Sequence, residues 1–294
     1  MKKCPYCGKE YPDDVARCLI DDELLLGGES QPSHDVGEIA ASASPPPLPA
    51  SESAASPKTA PWSDQQLLIM EIVLVCMIAF GGLILSSGHS LFVGSSGSSS
   101  LGSSSSGIYR WVYNSLREAS ALGLLWYVLL RRGKSFSNLG LVWARKDIGW
   151  SIVLWFGGSM AFYVVYDAFY FTGLTAASLE TSSAHVGHIL FGGGIFFVTI
   201  LFQFLNPFFE ELIVRAYVMT EVKHLTDSVT KAIIISTVLQ TSYHFYQGAP
   251  VAFADGATFL IWSIFYAKTN RIAPVILAHL YADVSGTLGY LFRQ

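Results

Sequence analysis

Seven apolar stretches, each close to the length of a membrane-crossing helix, occupy most of the sequence from residue 67 onwards. A helix needs roughly 20 apolar residues to cross the hydrocarbon core of a bilayer. The chain is 51% hydrophobic and 14% charged, whereas about a quarter of the residues in a soluble protein are charged. The sequence therefore predicts an all-α fold, a polytopic transmembrane helical bundle of about seven spans. The stretches cover residues 67–86, 108–130, 148–172, 189–206, 232–248, 249–267 and 272–292.

Basic residues between these stretches predict the orientation, because short cytoplasmic loops collect Lys and Arg. Counted from a cytoplasmic N-terminus, the loops at 94–107 and 173–188 face outwards and hold no Lys or Arg. No apolar run follows the first lysines, so a cleaved signal peptide is not expected. We expect a multi-pass protein of the cell inner (plasma) membrane, with the lipid bilayer as its surroundings and a cytoplasmic N-terminus. The net charge of −4 and the lack of a dense basic stretch do not favour a nucleic-acid partner.

Three of the four cysteines lie in the first eighteen residues, where they indicate a metal-held head. A segment as short as 1–24 cannot bury enough apolar surface to fold unaided. Cys4 and Cys7 have the C-x-x-C spacing of zinc ligands, Cys18 adds a third thiolate, and Asp21 lies where a second C-x-x-C would end. This resembles bacterial zinc-ribbon heads whose last ligand is an aspartate. We therefore predict a structural zinc ion; the alternative is a tail that binds no metal.

The composition divides the rest of the chain into three parts. Residues 25–65 are rich in Pro, Ala and Ser and poor in large apolar side chains, which predicts a disordered linker. Residues 66–188 form a first group of membrane helices, of which the stretch at 108–130 is the least regular. Its apolar run is interrupted by Arg110, Arg117 and Glu118. Residues 189–294 form a second group, in which most of the polar motifs lie.

Several ionisable residues lie in or next to the apolar stretches, where a charge costs about 2.5–3.5 kcal/mol at the bilayer centre. Residues four apart share a helix face, whereas adjacent residues point about 100° apart. We therefore expect Glu211 to pair with Arg215, which leaves Glu210 without a partner and suited to act as a general base. We assign Glu71 and Asp167 to helix packing or interfacial placement. The full set is Glu71, Asp167, Glu210, Glu211, Arg215, His244, Asp255, His279 and Asp283.

These groups together fit hydrolysis by activated water. Glu210 would take a proton from water, and His244 would hold that water or pass the proton on. His279 and Asp283, four residues apart, would polarise the carbonyl or stabilise its tetrahedral intermediate. Carboxylates and histidines equally suit a metal that lowers the pKa of bound water, and the active-site metal stays open. Two other classes also fit. One is a non-catalytic membrane scaffold that recruits a soluble partner through the zinc head, and the other is a proton-coupled transporter.

The strings "NPFFEELIVRAYV", "SYHFYQG" and "IAPVILAHLYAD" resemble the CAAX prenyl protease and bacteriocin-processing (CPBP) family of intramembrane endopeptidases, also called type II CAAX or Abi proteins. The resemblance covers residues 189–294. It implies a CPBP-like catalytic core and, as substrate, a membrane-embedded or lipidated peptide or protein. It also implies that Glu210 and His244 activate water, and that His279 and Asp283 form the oxyanion-stabilising side.

The chain departs from the family pattern at two positions. Gln240 takes the place of a phenylalanine in the second motif, and Asp283 stands where the eukaryotic enzymes usually have asparagine. Depth in the membrane is a further question, because Glu210 is expected near the inner end of its helix and His244 roughly 20 Å from the inner end of its own. A break or kink at Asn206-Pro207 is predicted to tilt the segment carrying Glu210 back into the bundle.

Overall fold

The computed structural model describes residues 2–3, 10–12, 15, 63–93, 104–173 and 196–291. The chain divides into two units, Met1–Leu67 and Leu68–Gln294. In the first unit, β1 (Lys2–Lys3) and β2 (Glu10–Tyr11) pair antiparallel. The predicted zinc ligands Cys4, Cys7, Cys18 and Asp21 lie outside the described residues, as does nearly all of the predicted linker.

From residue 64 onwards the described chain is helical, and each of the seven apolar stretches overlaps a helix, so the predicted all-α bundle is confirmed. A π-helix (Glu211–Val218) joins α4 to α5. Short 3-10 helices lie at Phe136–Leu139 and Phe245–Gln247. The α-helices are α1 (Asp64–Val93), α2 (Ser104–Arg131), α3 (Lys146–Phe171), α4 (Phe196–Glu210), α5 (Met219–Thr226), α6 (Val229–His244), α7 (Ala249–Thr269) and α8 (Ala273–Leu291).

Among the described helices, three segments are long and apolar enough to cross a membrane: Asp64–His89, Lys146–Phe171 and Ala249–Thr269. The bundle's surface carries many large apolar side chains, such as those of Phe156 and Val238, while Gln240 is fully buried inside. A soluble protein shows the opposite tendency. An apolar exterior that encloses the polar groups suits lipid, because polar groups exposed to hydrocarbon are not tolerated.

Close helix packing sets the distances inside the bundle. α7 packs against both α3 and α6, while α2 packs against α4. Gly158 in α3 permits close approach, since a Cβ there would lie 2.8 Å from a methyl group of Thr258. Across this contact the Thr258 hydroxyl donates to the Gly158 carbonyl at 2.8 Å, and the Trp262 indole donates to the Leu154 carbonyl at 3.1 Å. α7 is thereby fixed as one wall of the bundle interior.

Pro207 lies inside α4 and does not end it, so of the two predicted effects of Asn206-Pro207 the break is wrong, while the kink stays a prediction. Proline removes one backbone hydrogen bond, but in membrane helices local π adjustments can satisfy the freed groups, and the π-helix begins at Glu211. The helical path continues to Thr226. At about 1.5 Å per residue, Glu210 and His244 therefore both lie more than about 20 Å from the neighbouring ends of their helical segments, at Thr226 and Val229.

Gly140 lies in the loop before α3 and packs tightly against the loop before α8. We call this contact the corner. The Gly140 φ of 81° is left-handed, and a Cβ there would overlap the carbonyl oxygen of Asn270. Its own carbonyl accepts from the Ile272 amide at 3.2 Å. Nearby, Arg271 donates to both oxygens of Asp147, at 2.6 and 2.7 Å. The corner depends on a residue without a side chain at position 140.

We predict that Gly140→Ala destabilises the protein by at least about 1–3 kcal/mol, because alanine meets both left-handed strain and backbone overlap. Thermal unfolding of the detergent-purified protein measures the effect. The control is Gly149→Ala in α3, where nothing lies within 4 Å of an added Cβ and alanine favours the helix. Equal melting temperatures for the two variants would contradict the proposed importance of the corner.

Candidate active site

Glu211 is the centre of a buried charged cluster at the start of the π-helix. Its Oε2 accepts from Nη1 of Arg215, and its Oε1 is 2.8 Å from Nδ1 of His279. Glu211 and Arg215 are both fully buried. The structure therefore brings together Glu211 and Arg215 from the first motif with His279 from the third. Both carboxylate oxygens of Glu211 are engaged by cationic or proton-donating groups.

Arg215 is held by α7 as well as by Glu211. Its guanidinium carbon lies 5.3 Å from the ring centres of both Phe259 and Trp262, and Nη2 donates to the Phe259 carbonyl at 3.4 Å. Aromatic faces attract cations, most strongly where water is excluded. These contacts offset part of the cost of burying the guanidinium and fix its direction towards Glu211.

Glu210 points to a different helix from its neighbour. Its Oε2 accepts a hydrogen bond of 2.8 Å from Nε2 of Gln240 in α6, and Glu210 also interacts electrostatically with Tyr243 in the same helix as Gln240. The expectation that Glu210 has no partner is therefore wrong. The partner is the glutamine that replaces the phenylalanine of the family pattern, so its presence could not be inferred from the pattern itself.

Gln240 also joins Glu210 to His244. The backbone carbonyl oxygen of Gln240 is 2.8 Å from Nδ1 of His244. A carbonyl can only accept, so Nδ1 carries the proton and Nε2 of a neutral His244 is a free base. By the same reasoning, the carboxylate of Glu211 holds the proton on Nδ1 of His279, whose Nε2 lies 3.6 Å from Oδ1 of Asp283. Both histidines are nine-tenths buried.

Asp283 lies at the open side of the cluster, with 27% of its side chain exposed. It interacts with Asn206, one residue before Pro207. Asp255 in α7 interacts electrostatically with Glu210, His244, His279 and Asp283. Asp255 therefore lies near these four side chains, although the sequence showed no partner for it on the same helix face.

Glu118 in α2 is the main residue that the motif analysis missed. It is fully buried and interacts electrostatically with Glu210 and Asp283. In the sequence it appears only as an interruption of an apolar stretch. A charged residue within an apolar stretch is a signal by which the sequence could have identified Glu118, since ionisable residues inside membrane helices usually face a functional interior.

Glu71 and Asp167 do not join the cluster. Asp167 is exposed near the end of α3. Glu71 lies 2.5 Å from Nη2 of Arg132 and accepts from the Tyr217 hydroxyl at 2.8 Å. Arg132 also binds Glu221 at 2.9 Å. Burial alone would lower the pKa of Arg132, but Glu221 and Glu71 together raise that pKa above its usual value.

Within the described part of the chain, no group of three or more His, Cys, Asp or Glu side chains is arranged to hold a metal ion. The two oxygens of Glu211 are instead engaged by Arg215 and His279, and Glu210 is bound by Gln240. The donor set therefore does not fit a metal in this arrangement, and the mechanism below uses only the side chains.

Residues 192–285 match the family model described as "Rce1-like: Type II CAAX prenyl endopeptidase Rce1-like". The matched segment contains the six predicted site residues, from Glu210 to Asp283, but not Glu118. Comparison with curated proteins finds no match, and comparison with solved structures finds none either.

We predict that Arg215→Met destabilises the protein by about 3–5 kcal/mol, because it leaves the Glu211 carboxylate buried without its cationic partner. The yield of monodisperse protein and its thermal unfolding in detergent measure the loss. Arg145→Met is the control, since Arg145 is exposed and such substitutions usually change stability by less than about 0.5 kcal/mol. An Arg215→Met protein as stable as this control would show that the pair does not brace the fold.

Proposed function

Because residues 192–285 belong to the Rce1-like family of type II CAAX prenyl endopeptidases, we propose that this chain hydrolyses peptide bonds with water activated by Glu210. The family is one of intramembrane proteases, so the general class of the chain is a protease that acts on a peptide or protein in the membrane. The individual roles of the side chains are our proposal. The observation that carries it is the link from Glu210 through Gln240 to His244.

In the first step, Glu210 takes a proton from a water molecule while Nε2 of His244 accepts a hydrogen bond from the same water. Gln240 supports this step in two ways. Its side-chain NH₂ group donates to the Glu210 carboxylate, and its backbone carbonyl accepts from Nδ1 of His244 and so fixes the tautomer. The water oxygen attacks the peptide carbonyl carbon. The proton is then passed to the leaving amine, which is the usual second task of a general base.

The second pair of side chains stabilises the charge on the intermediate. Glu211 and Asp283 flank His279, at 2.8 Å from Nδ1 and 3.6 Å from Nε2 respectively. Two carboxylates beside one imidazole favour its protonated form, which can donate from Nε2 to an oxyanion. Arg215 neutralises Glu211 in turn, so the cluster is held before the substrate arrives. A preorganised donor of this kind requires little rearrangement during reaction.

We predict that Glu210→Gln lowers cleavage of a quenched peptide library by about 100-fold or more, because the amide cannot accept the proton. The assay compares detergent-purified wild type and variant. Asp167→Asn is the matched carboxylate-to-amide control, because Asp167 is exposed and outside the cluster; it should cleave at the wild-type rate. A parallel series with a chelator separates the carboxylate mechanism, which should be unaffected, from a metal-dependent one.

Other outcomes point to the other function classes. Well-folded wild type and Glu210→Gln proteins that both fail to cleave any peptide would contradict the protease and favour a membrane scaffold. A Glu210→Gln protein in reconstituted vesicles that changes a pH-dependent solute flux, while the wild type cleaves nothing, would favour a proton-coupled transporter.

We also propose that residues 1–24 bind one structural zinc ion through Cys4, Cys7, Cys18 and Asp21, on the cytoplasmic side of a bacterial inner membrane. The support is the spacing of the ligands together with the antiparallel pairing of Lys2–Lys3 with Glu10–Tyr11. These two strands lie on either side of the Cys4 and Cys7 positions in the sequence. Such a head suits the recruitment of a soluble partner.

We predict about one zinc ion per chain in the wild-type protein and loss of that zinc in Cys7→Ser, because the site needs about four ligands. Elemental analysis by mass spectrometry of the purified full chain gives the ratio. Cys76→Ser is the control, since Cys76 lies within α1 and should not affect the metal content. Zinc-free wild type, or equal zinc in both variants, would refute the zinc head.

A further inference from the structure

Three buried polar atoms near Glu210 have no hydrogen-bond partner within the described part of the chain. They are Oε2 of Glu118, Oε1 of Gln240 and the hydroxyl oxygen of Tyr243. Buried polar groups are nearly always hydrogen-bonded, either to protein or to ordered water. Leaving such a group unsatisfied is costly, so three of them near one carboxylate need a physical explanation.

Glu118 reaches this region because α2 packs against α4. The guanidinium of the preceding residue, Arg117, lies 5.7 Å from the ring centre of Phe209, which directly precedes Glu210. Nη2 of Arg117 is 3.5 Å from Oε1 of Glu118. Only Oε2 is therefore left without a donor, and the Glu118 carboxyl group interacts electrostatically with Glu210 and Asp283.

Gln240 and Tyr243 approach the same carboxylate from α6. The amide of Gln240 donates from Nε2 to Glu210 at 2.8 Å, which leaves Oε1 as an unused acceptor. The Tyr243 ring is stacked on Phe80 at 4.7 Å, and this stacking fixes the position of its hydroxyl. The Tyr243 carbonyl also accepts from Ser87 at 2.7 Å. Contacts with α1 therefore hold Tyr243 in place, and the hydrogen bond to Glu210 in α4 holds Gln240.

We propose that Glu118, Gln240 and Tyr243 hold ordered water beside Glu210, and that Glu118 is a positioning residue for hydrolysis. A water molecule can donate two hydrogen bonds and accept two, which matches two acceptor oxygens and one phenolic hydroxyl. The water site stands on the unsatisfied atoms alone. The role of Glu118 in hydrolysis rests additionally on the proposed function. Because α2 lies outside the family-matched segment, this role is not part of the family assignment.

Hydroxyl-radical labelling tests the water site without any need for activity, because radicals generated from bound water modify the side chains next to it. Tyr243 and Tyr266 are a matched pair, since both are buried, at 1% and 3% exposure. The Tyr266 hydroxyl is satisfied by the carbonyls of Leu139 and Ala216, at 3.2 and 3.3 Å. We expect Tyr243 to be modified at least about threefold faster than Tyr266, and Glu118→Leu to remove most of this difference. Equal labelling of the two tyrosines in the wild type would overturn the proposal.

The positioning role is tested by kinetics and stability measured together. Glu118→Leu should lower kcat about tenfold with KM within about twofold, and Glu118→Gln, which keeps an acceptor oxygen, should restore most of kcat. The melting temperature of Glu118→Leu should fall only slightly, because the loss of the Arg117 contact is offset by the removal of an unsatisfied buried carboxyl oxygen. A purely structural Glu118 would instead give a much lower melting temperature with unchanged kcat per folded molecule, and that result would overturn the positioning role.

The two proposals fail in distinguishable ways. If the wild type cleaves nothing, the proposed function fails and takes the positioning role with it, while labelling of Tyr243 still decides whether the water site exists. If the wild type cleaves and Glu210→Gln does not, the function stands. Wild-type kcat in Glu118→Leu would then refute the positioning role alone.

Discussion

The bundle is organised around the ion pair between Glu211 and Arg215, which lies where neither water nor lipid can satisfy it. A buried pair of this kind is stable only when its geometry is good and its remaining hydrogen-bonding groups are engaged. His279 from α8 takes one carboxylate oxygen, and Phe259 and Trp262 from α7 surround the guanidinium. Three segments of the chain therefore have to meet at one point. The positions of the histidines and carboxylates around that point follow from this requirement.

The π-helix lets two adjacent glutamates serve two different helices. Glu210 ends α4 and binds Gln240 in α6, whereas Glu211 begins the π-helix and binds His279 in α8. All eight π-helical residues are buried, so the wider turn is held by packing on every side. π-helical segments are rare and often occur at functional sites. Here the segment begins four residues after Pro207.

The sequence was sufficient for the features that depend on local spacing. Apolar length located the helices, and the four-residue separations brought Glu211 to Arg215 and His279 near Asp283. It failed where the outcome depends on a neighbouring helix. The contact of Gln240 with Glu210 requires knowledge of how α4 faces α6, and the burial of Glu118 requires the packing of α2 on α4. Pro207 misled because the helix continues through it, as local adjustments of the backbone allow in membrane helices.

The polar groups in the bundle divide into closed and open sets, and this division assigns different roles to the two glutamates. Both carboxylate oxygens of Glu211 are engaged, one by Arg215 and one by His279, and Arg132 binds Glu71 and Glu221 at another site. Such closed sets stabilise a fold, but their carboxylates are already engaged. Glu210 instead lies beside acceptor and donor atoms on Glu118, Gln240 and Tyr243 that other protein groups leave unsatisfied. A site that hydrolyses a bond inside an apolar bundle must hold water there, and Glu210 is the glutamate that has unsatisfied atoms on three neighbouring side chains. The physical cost of these unsatisfied groups therefore favours Glu210, rather than Glu211, as the residue that meets water.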